Sequence, residues 1–228
     1  MAFWLQKPAK LLPPDQCNPG RATPNPQAAG PDALHYTKQT RLCEPFPEGL
    51  EVAIFGFGCF WCSESDFEKL PGVIDAVSGY AGGSTQNPTY HQVGTGVTGH
   101  TEALRVIYDP KKVSYDELLD YYWHHVDPFD GNGQFCDRGN QYRPAILPVS
   151  AEQRQKAEAS LVHIGEVLGK PIAVKIEDPG TFWVAEEYHQ DFYKKNPAHY
   201  GRYRLGCGRD RRVQEIWKGV KEQASAGH

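Results

Sequence analysis

The sequence predicts a single domain that mixes strands and helices, and three kinds of stretch carry the prediction. Val52-Ala53-Ile54-Phe55-Gly56-Phe57 is a short, continuously apolar run of strand-forming residues, the pattern of a strand buried on both faces. Residues 100–110 alternate: Glu102, Leu104, Val106 and Tyr108 share one face, Thr101, Ala103, Arg105 and Ile107 the other. Ser114-Tyr115-Asp116-Glu117 is a capping box, and Ser150-Ala151-Glu152-Gln153 caps a second helix. A chain of 228 residues is long enough to bury one sizeable core.

Composition bounds the function. Hydrophobic residues make up 39% of the chain and charged residues 23%, ordinary values for a globular protein in water. A net charge of −4 gives no electrostatic case for nucleic acid or an anionic membrane. No apolar run approaches the ~20 residues of a membrane helix. The first residues, Met1-Ala2-Phe3-Trp4-Leu5-Gln6-Lys7-Pro8, lack the apolar centre and cleavage site of a secretory signal. The cysteines are irregularly spaced and form no disulfide framework, so the expected setting is reducing and cytoplasmic, with functional thiols. Residues 1–46, rich in proline and without apolar period, are expected to form an arm; 47–228 form one catalytic domain with a mobile C-terminal tail.

The elements follow in order. After the strand at 52–57 comes a short amphipathic helix stopped by Pro71-Gly72, then a strand at 73–78. Residues 79–90 read as a long glycine-rich loop; no Lys-Ser/Thr pair follows it, which argues against a phosphate cradle. The capped helix from Ser114 ends at His124-His125, adjacent residues that point apart and do not make a metal pair. Residues 130–143 are polar, glycine-rich and too long for a simple turn, the usual character of a functional loop. Pro144-Ala145-Ile146-Leu147-Pro148-Val149 reads as an edge strand. A long helix runs from Ser150 to Gly169, a last strand covers 172–176, and 181–193 reads as an aromatic helix. Glycines flank Cys207, predicting a segment that swings, and a short helix is expected at 211–218.

Cys59 stands at the strand-to-helix turn, where free N–H groups and the positive dipole end favour a thiolate. Cys59-Phe60-Trp61-Cys62 admits three readings: a buried structural pair, a zinc half-site, or a redox motif. The other cysteines (Cys17, Cys43, Cys136, Cys207) are solitary, which disfavours zinc. A redox motif fits best, and two aromatics beside the nucleophile point to an apolar substrate pocket. On the alternating strand, Glu102 shares its side with the most apolar residues. If that side is the core, burial keeps the acid protonated near neutral pH, able to give a proton.

With these residues in view, the chain resembles the A class of peptide methionine sulfoxide reductases. The resemblance covers about residues 50–210 and rests on Gly58-Cys59-Phe60-Trp61-Cys62-Ser63-Glu64, Gly79-Tyr80-Ala81-Gly82-Gly83, Asn87-Pro88-Thr89-Tyr90, Thr98-Gly99-His100-Thr101-Glu102, Gln141-Tyr142-Arg143 and Tyr188-His189-Gln190. It implies an α+β two-layer sandwich around a mixed β-sheet with long irregular loops. It also implies Cys59 as the nucleophile, Phe60 and Trp61 as walls of the methyl pocket, and Glu102 as proton donor. Tyr90 and Tyr142 would bond the sulfoxide oxygen, and Asp137 would orient it through water. The implied reaction is reduction of protein-bound and free methionine (S)-sulfoxide through a sulfenic acid and a disulfide reopened by thioredoxin. No metal or cofactor is implied, and a monomer is expected. Two departures stand out. Cys62 occupies a position commonly glycine in the family, and Cys136 lies directly beside Asp137. The resolving thiol is therefore Cys207, Cys62 or Cys136, with Cys207 matching the family's usual C-terminal location. The rival expectation is a general thiol–disulfide oxidoreductase using Cys59 and Cys62.

Overall fold

The computed structural model describes residues 46–226; the expected proline-rich arm lies outside them, apart from Phe46. The elements are β1 (Glu51–Gly56), α1 (Phe60–Phe67), β2 (Val73–Ala81), α2 (Tyr90–Gly94), β3 (Thr101–Tyr108), α3 (Tyr115–Trp123), β4 (Gly133–Gln134), β5 (Asp137–Arg138), β6 (Ala145–Ile146), α4 (Ala151–Leu168), β7 (Lys175–Ile176), β8 (Trp183–Val184), α5 (Phe192–Lys195), α6 (Pro197–Cys207) and α7 (Arg209–Ala226). Six strands form one sheet in the order β7-β6-β1-β3-β2-β8. β6 and β7 are parallel and every other neighbour is antiparallel, so the sheet is mixed and the class is α+β as expected.

The alternation of β3 sets the two layers. Leu104, Val106 and Tyr108 join Ala53 and Phe55 of β1 against α3 and α4, a core that includes Leu118, Tyr122, Trp123 and Ile164. Ala103 and Ile107 face the other way, with Ile54, Val77, Phe182 and Val184. Irregular segments cover that second face: the Arg105 guanidinium lies between the Phe46 and Phe182 rings, 5.0 and 4.8 Å from their centroids. Both faces of β3 are therefore buried, which is why Glu102 at its head is only 3% exposed.

Five local expectations are corrected. The strand at 73–78 continues through the first glycines to Ala81, because Gly79 lets β8 pack flat on it: a Cβ there would sit 2.3 Å from the Phe182 ring and 2.5 Å from the Trp183 carbonyl. From the same stretch a helix does open, α2, with Thr89 and Gln92 closing a capping box. β6, read as an edge, lies between β1 and β7, since its prolines flank the paired residues. Residues 181–193 hold the short strand β8, a 3-10 turn at Glu187–His189 and the start of α5 rather than one helix. Here pairing with β2 and the buried side chains of Glu186 and Gln190 outweigh aromatic periodicity. The expected swinging tail is helical: Gly206 lies inside α6, Gly208 ends it in the left-handed region at φ 72°, and α7 runs well past the short helix expected.

Candidate active site

The site forms where β1 ends. Gly58 turns the chain at φ +84°, with Gln134 so close that a Cβ would meet its side chain at 2.6 Å. Cys59 follows as the N-cap of α1, 6% exposed. The first free N–H of the helix, that of Phe60, does not face the sulfur. It donates to Glu102 Oε2 at 3.0 Å, fixing the acid beside the nucleophile. Burial is the main reason the Glu102 carboxyl is pushed up to about 8; the Phe60 bond opposes it, and Asp137 and Cys62 add to it. The buried acid read from the alternation is present.

The surroundings of Cys59 act against the thiolate that the helix start favours. Burial, its hydrogen bond with Cys62 and the charges nearby raise the Cys59 thiol well above its ordinary range. Cys62 is the acidic partner, lowered to about 7 by the Cys59 hydrogen bond, against burial and with help from Arg209 and Arg204. At an N-cap whose leading N–H serves a carboxylate, helix geometry alone does not ionise the sulfur.

Around these groups the aromatic side chains cluster. Phe60 is buried, its ring 5.9 Å from Tyr80, 6.4 Å from Tyr90 and 4.9 Å from His189. Trp61 stacks on Phe192 at 3.7 Å, and its indole N–H donates to His189 Nδ1 at 3.0 Å. That bond makes Nδ1 the acceptor, so His189 is the neutral Nε2–H tautomer; burial, aided by Lys195, holds its pKa down to about 3. Tyr90 and Tyr142 both feel the Glu102 charge. Each is placed by a buried anchor. Glu186 accepts from the Tyr90 N–H at 2.9 Å and from the Tyr80 hydroxyl at 2.7 Å. The Thr101 hydroxyl, next to Glu102, lies 3.2 Å from the carbonyl of Gln141 and 3.0 Å from that of Arg143, the residues on either side of Tyr142.

Residues 130–143 are a tight hairpin followed by a 3-10 turn (Asn140–Tyr142) rather than an open loop. Gln134, fully buried, bonds the Asp127 backbone in both directions and anchors it. The two turn residues are Phe135 and Cys136, and Phe135 sits at φ +55° without being glycine. Such turns normally use Asn-Gly; here the Arg209 guanidinium over the Phe135 ring, 4.3 Å from its centroid, holds the turn. At its tip Cys136 forms a disulfide with Cys207, while Cys59 and Cys62 are free. Asp137 accepts from the Tyr203 hydroxyl, and Tyr203 acts to lower the Cys59 thiol against its burial.

The structure thus brings together Cys59, Glu102, Phe60, Trp61, Tyr90, Tyr142 and Asp137, and leaves Cys207 beside Asp137 in a bond to Cys136. Sequence reasoning missed Tyr203, Glu186 and Arg209. The signal for Tyr203 is its spacing four residues before Cys207, one face of α6; nothing marks Glu186 or Arg209. The motif residues Glu64 and Gln190 are structural. Glu64 accepts from the Asp191 N–H at 2.9 Å, and Gln190 bonds both backbone groups of Ser78.

A buried cysteine pair, a buried carboxylic acid and an aromatic cluster, with a second sulfur pair nearer the surface, define a cysteine-based oxidoreductase. The description "Peptide methionine sulfoxide reductase" fits residues 51–221. The chain is 48% identical over 188 residues to Peptide methionine sulfoxide reductase MsrA 2 of Rhizobium meliloti, covering 82% of this chain and 91% of that one. It is 51% identical over 169 residues to the MsrA/MsrB protein of Vibrio cholerae, covering 73% of this chain but spanning only 45% of that protein. Among solved structures, methionine sulfoxide reductase A of Corynebacterium diphtheriae superposes with a TM-score of 0.67 at 33% identity, over 82% of this chain and 92% of that one. The chain belongs to the peptide methionine sulfoxide reductase family, in its A class.

Proposed function

We propose that the protein reduces methionine (S)-sulfoxide, free and in proteins, to methionine. The observation that carries this reading is Glu102: an acid 3% exposed and protonated to about pH 8, fixed beside Cys59 by the Phe60 N–H. In the proposed cycle the substrate methyl enters against Phe60 and Trp61. The sulfoxide oxygen meets Glu102, Tyr90 and Tyr142, with Asp137 orienting it through water. Cys59 attacks the sulfoxide sulfur, and the proton it loses replaces the one that Glu102 gives to the oxygen. Glu102 protonates the oxygen, which transfers to Cys59 as a sulfenic acid while the sulfide departs as methionine. Substrate sulfur gains two electrons and Cys59 loses them. Cys207 enters as a recycling thiol. Its disulfide with Cys136, an exposed residue at the hairpin tip, offers thioredoxin a sulfur to attack, and the 84% exposed Leu205 lies two residues before Cys207. That need for a thiol reductant supports a reducing, cytoplasmic setting. No helix among the described residues is long and apolar enough to cross a membrane.

The test is an assay with peptides carrying each sulfoxide epimer. Reduction of the S epimer alone is the expected result. Reduction of protein disulfides with neither epimer touched, and with Glu102→Gln as active as wild type, would instead identify a general thiol–disulfide oxidoreductase built on Cys59 and Cys62.

A further inference from the structure

We propose that reduction of the Cys136–Cys207 disulfide opens a site for one zinc ion, held by both sulfurs and by the Asp137 carboxylate. The site itself is independent of the sulfoxide reductase reading; only its consequence for turnover rests on that reading.

The donors come from two elements that meet at the hairpin tip. Cys136 and Asp137 follow Phe135, whose φ of +55° turns the β4–β5 hairpin. Cys207 is the last residue of α6. The Cα atoms of the two cysteines are 4.9 Å apart, so both side chains reach one point. The two sulfurs and an oxygen of Asp137 all lie within 4.8 Å of one another. The Cys136 sulfur is 3.8 Å from Oδ1 and the Cys207 sulfur 3.9 Å from Oδ2. Zinc takes sulfur at ~2.3 Å and carboxylate oxygen at ~2.0–2.2 Å, so in a tetrahedron sulfur and oxygen stand ~3.5 Å apart and the two sulfurs ~3.8 Å. The carboxylate is thus nearly in place. Once the S–S bond is gone, the unbonded sulfurs part to about their required distance in any case.

Both kinds of donor are prepared by hydrogen bonds. Asp137 Oδ2 accepts from the Tyr203 hydroxyl, one turn before Cys207 on α6. An outer bond of this kind orients a metal-bound carboxylate. The Cys207 sulfur accepts the Cys136 backbone N–H at 3.2 Å, a bond that favours the ionised sulfur a metal requires. Cys136 is exposed and Cys207 half-buried, which gives the ion a way in from solvent and leaves a water as fourth ligand. Two thiolates with one carboxylate suit zinc, whereas magnesium and calcium take oxygen donors.

The steps balance. A dithiol of the thioredoxin class gives two electrons and two protons to the disulfide and is itself oxidised. Zinc then displaces both thiol protons into solvent with no change of oxidation state. While it is held, Cys136 and Cys207 cannot close on each other, so in the cycle proposed above the ion stops recycling until it is withdrawn.

The experiment uses the full chain, reduced with a phosphine, freed of it without air, and titrated with Cd²⁺ as an optical substitute for Zn²⁺. The sulfur-to-cadmium charge-transfer band reports ligation by sulfur, and Zn²⁺ affinity is read by competition with a chromophoric chelator. One ion per reduced chain is expected, with the band unchanged in Cys59→Ser/Cys62→Ser. It should be absent from the disulfide-bonded wild type, which is the folded control, and from Cys136→Ser/Cys207→Ser. Asp137→Asn and Tyr203→Phe should keep the band while weakening Zn²⁺ binding by ~10–100-fold. An equal band from the disulfide-bonded protein, its loss in Cys59→Ser/Cys62→Ser, or a Zn²⁺ affinity unmoved by Asp137→Asn overturns the site. Methionine sulfoxide turnover is measured separately. Turnover unaffected by Zn²⁺ that the chelator shows to be bound overturns the block on recycling, and a protein without reductase activity that gives the binding pattern still supports the site.

Discussion

At the scale of single residues, the site depends on two groups held in uncommon protonation states by burial. Glu102 has its pKa raised to about 8, so it remains a proton donor through neutral pH and becomes a carboxylate above that. A buried acid with a raised pKa is most favourable below its unfolded value of ~4.3, and that contribution is lost as pH climbs through the folded value. Stability should therefore fall as pH rises from ~4.3 to about 8 and level off beyond it, whereas single-turnover methionine release should fall above about pH 8. The acidic limb of release should follow the thiol pair, with Cys62 near 7; such apparent values belong to the pair. Glu102→Gln should lower the rate of methionine release by ~10²–10⁴-fold and abolish the alkaline limb, as measured by rapid quench across pH. His189 acts through Trp61. His189→Leu removes the acceptor of the indole N–H, a bond worth ~1 kcal/mol net, and should raise KM several-fold with a smaller change in kcat.

At the scale of elements, the reading from sequence was most accurate where one local rule acted alone. The continuous apolar run gave β1, the alternation gave β3 and the side on which Glu102 lies, and the capping boxes gave α3 and α4. It failed where a partner strand decided the outcome. Residues 181–193 carry aromatic residues at near-helical spacing, yet β2 offers Gly79 and Tyr80 as a free edge and draws Trp183 and Val184 into the sheet. Gly79→Ala should test this. The added methyl meets Phe182 and the Trp183 carbonyl, so β8 must shift, at a cost of ~1–3 kcal/mol. A drop in the urea midpoint with loss of Trp61 anchoring is the expected outcome, because His189 follows β8 directly.

At the scale of the whole molecule, the disulfide ties the hairpin tip to the end of α6 across 71 residues. A loop of that length, closed in the unfolded chain, stabilises the native state by roughly 4 kcal/mol in the chain-entropy account. Reduction with dithiothreitol should therefore lower the thermal midpoint, and Cys136→Ser should match reduced wild type. The same variant should lose thioredoxin-dependent steady-state turnover while a single release of methionine survives. That split separates recycling from chemistry. Cys207, expected on a mobile tail, lies at the end of a helix, and Tyr203 to Asp137 and Arg204 to Asp66 hold α6 over the site.

By itself the sequence pointed to Cys59 as the candidate nucleophile, Glu102 as the candidate acid and Phe60 and Trp61 as the candidate walls. Each follows from neighbours within one strand or one helical turn, where backbone period and capping chemistry act. Which sulfurs pair, which hydroxyl holds Asp137 and where Arg209 is anchored were decided only by the tertiary structure. Those contacts join positions 71, 66 and 152 apart. Separations of that order are fixed by how α6 and α7 pack against the sheet end, and no short-range pattern encodes that.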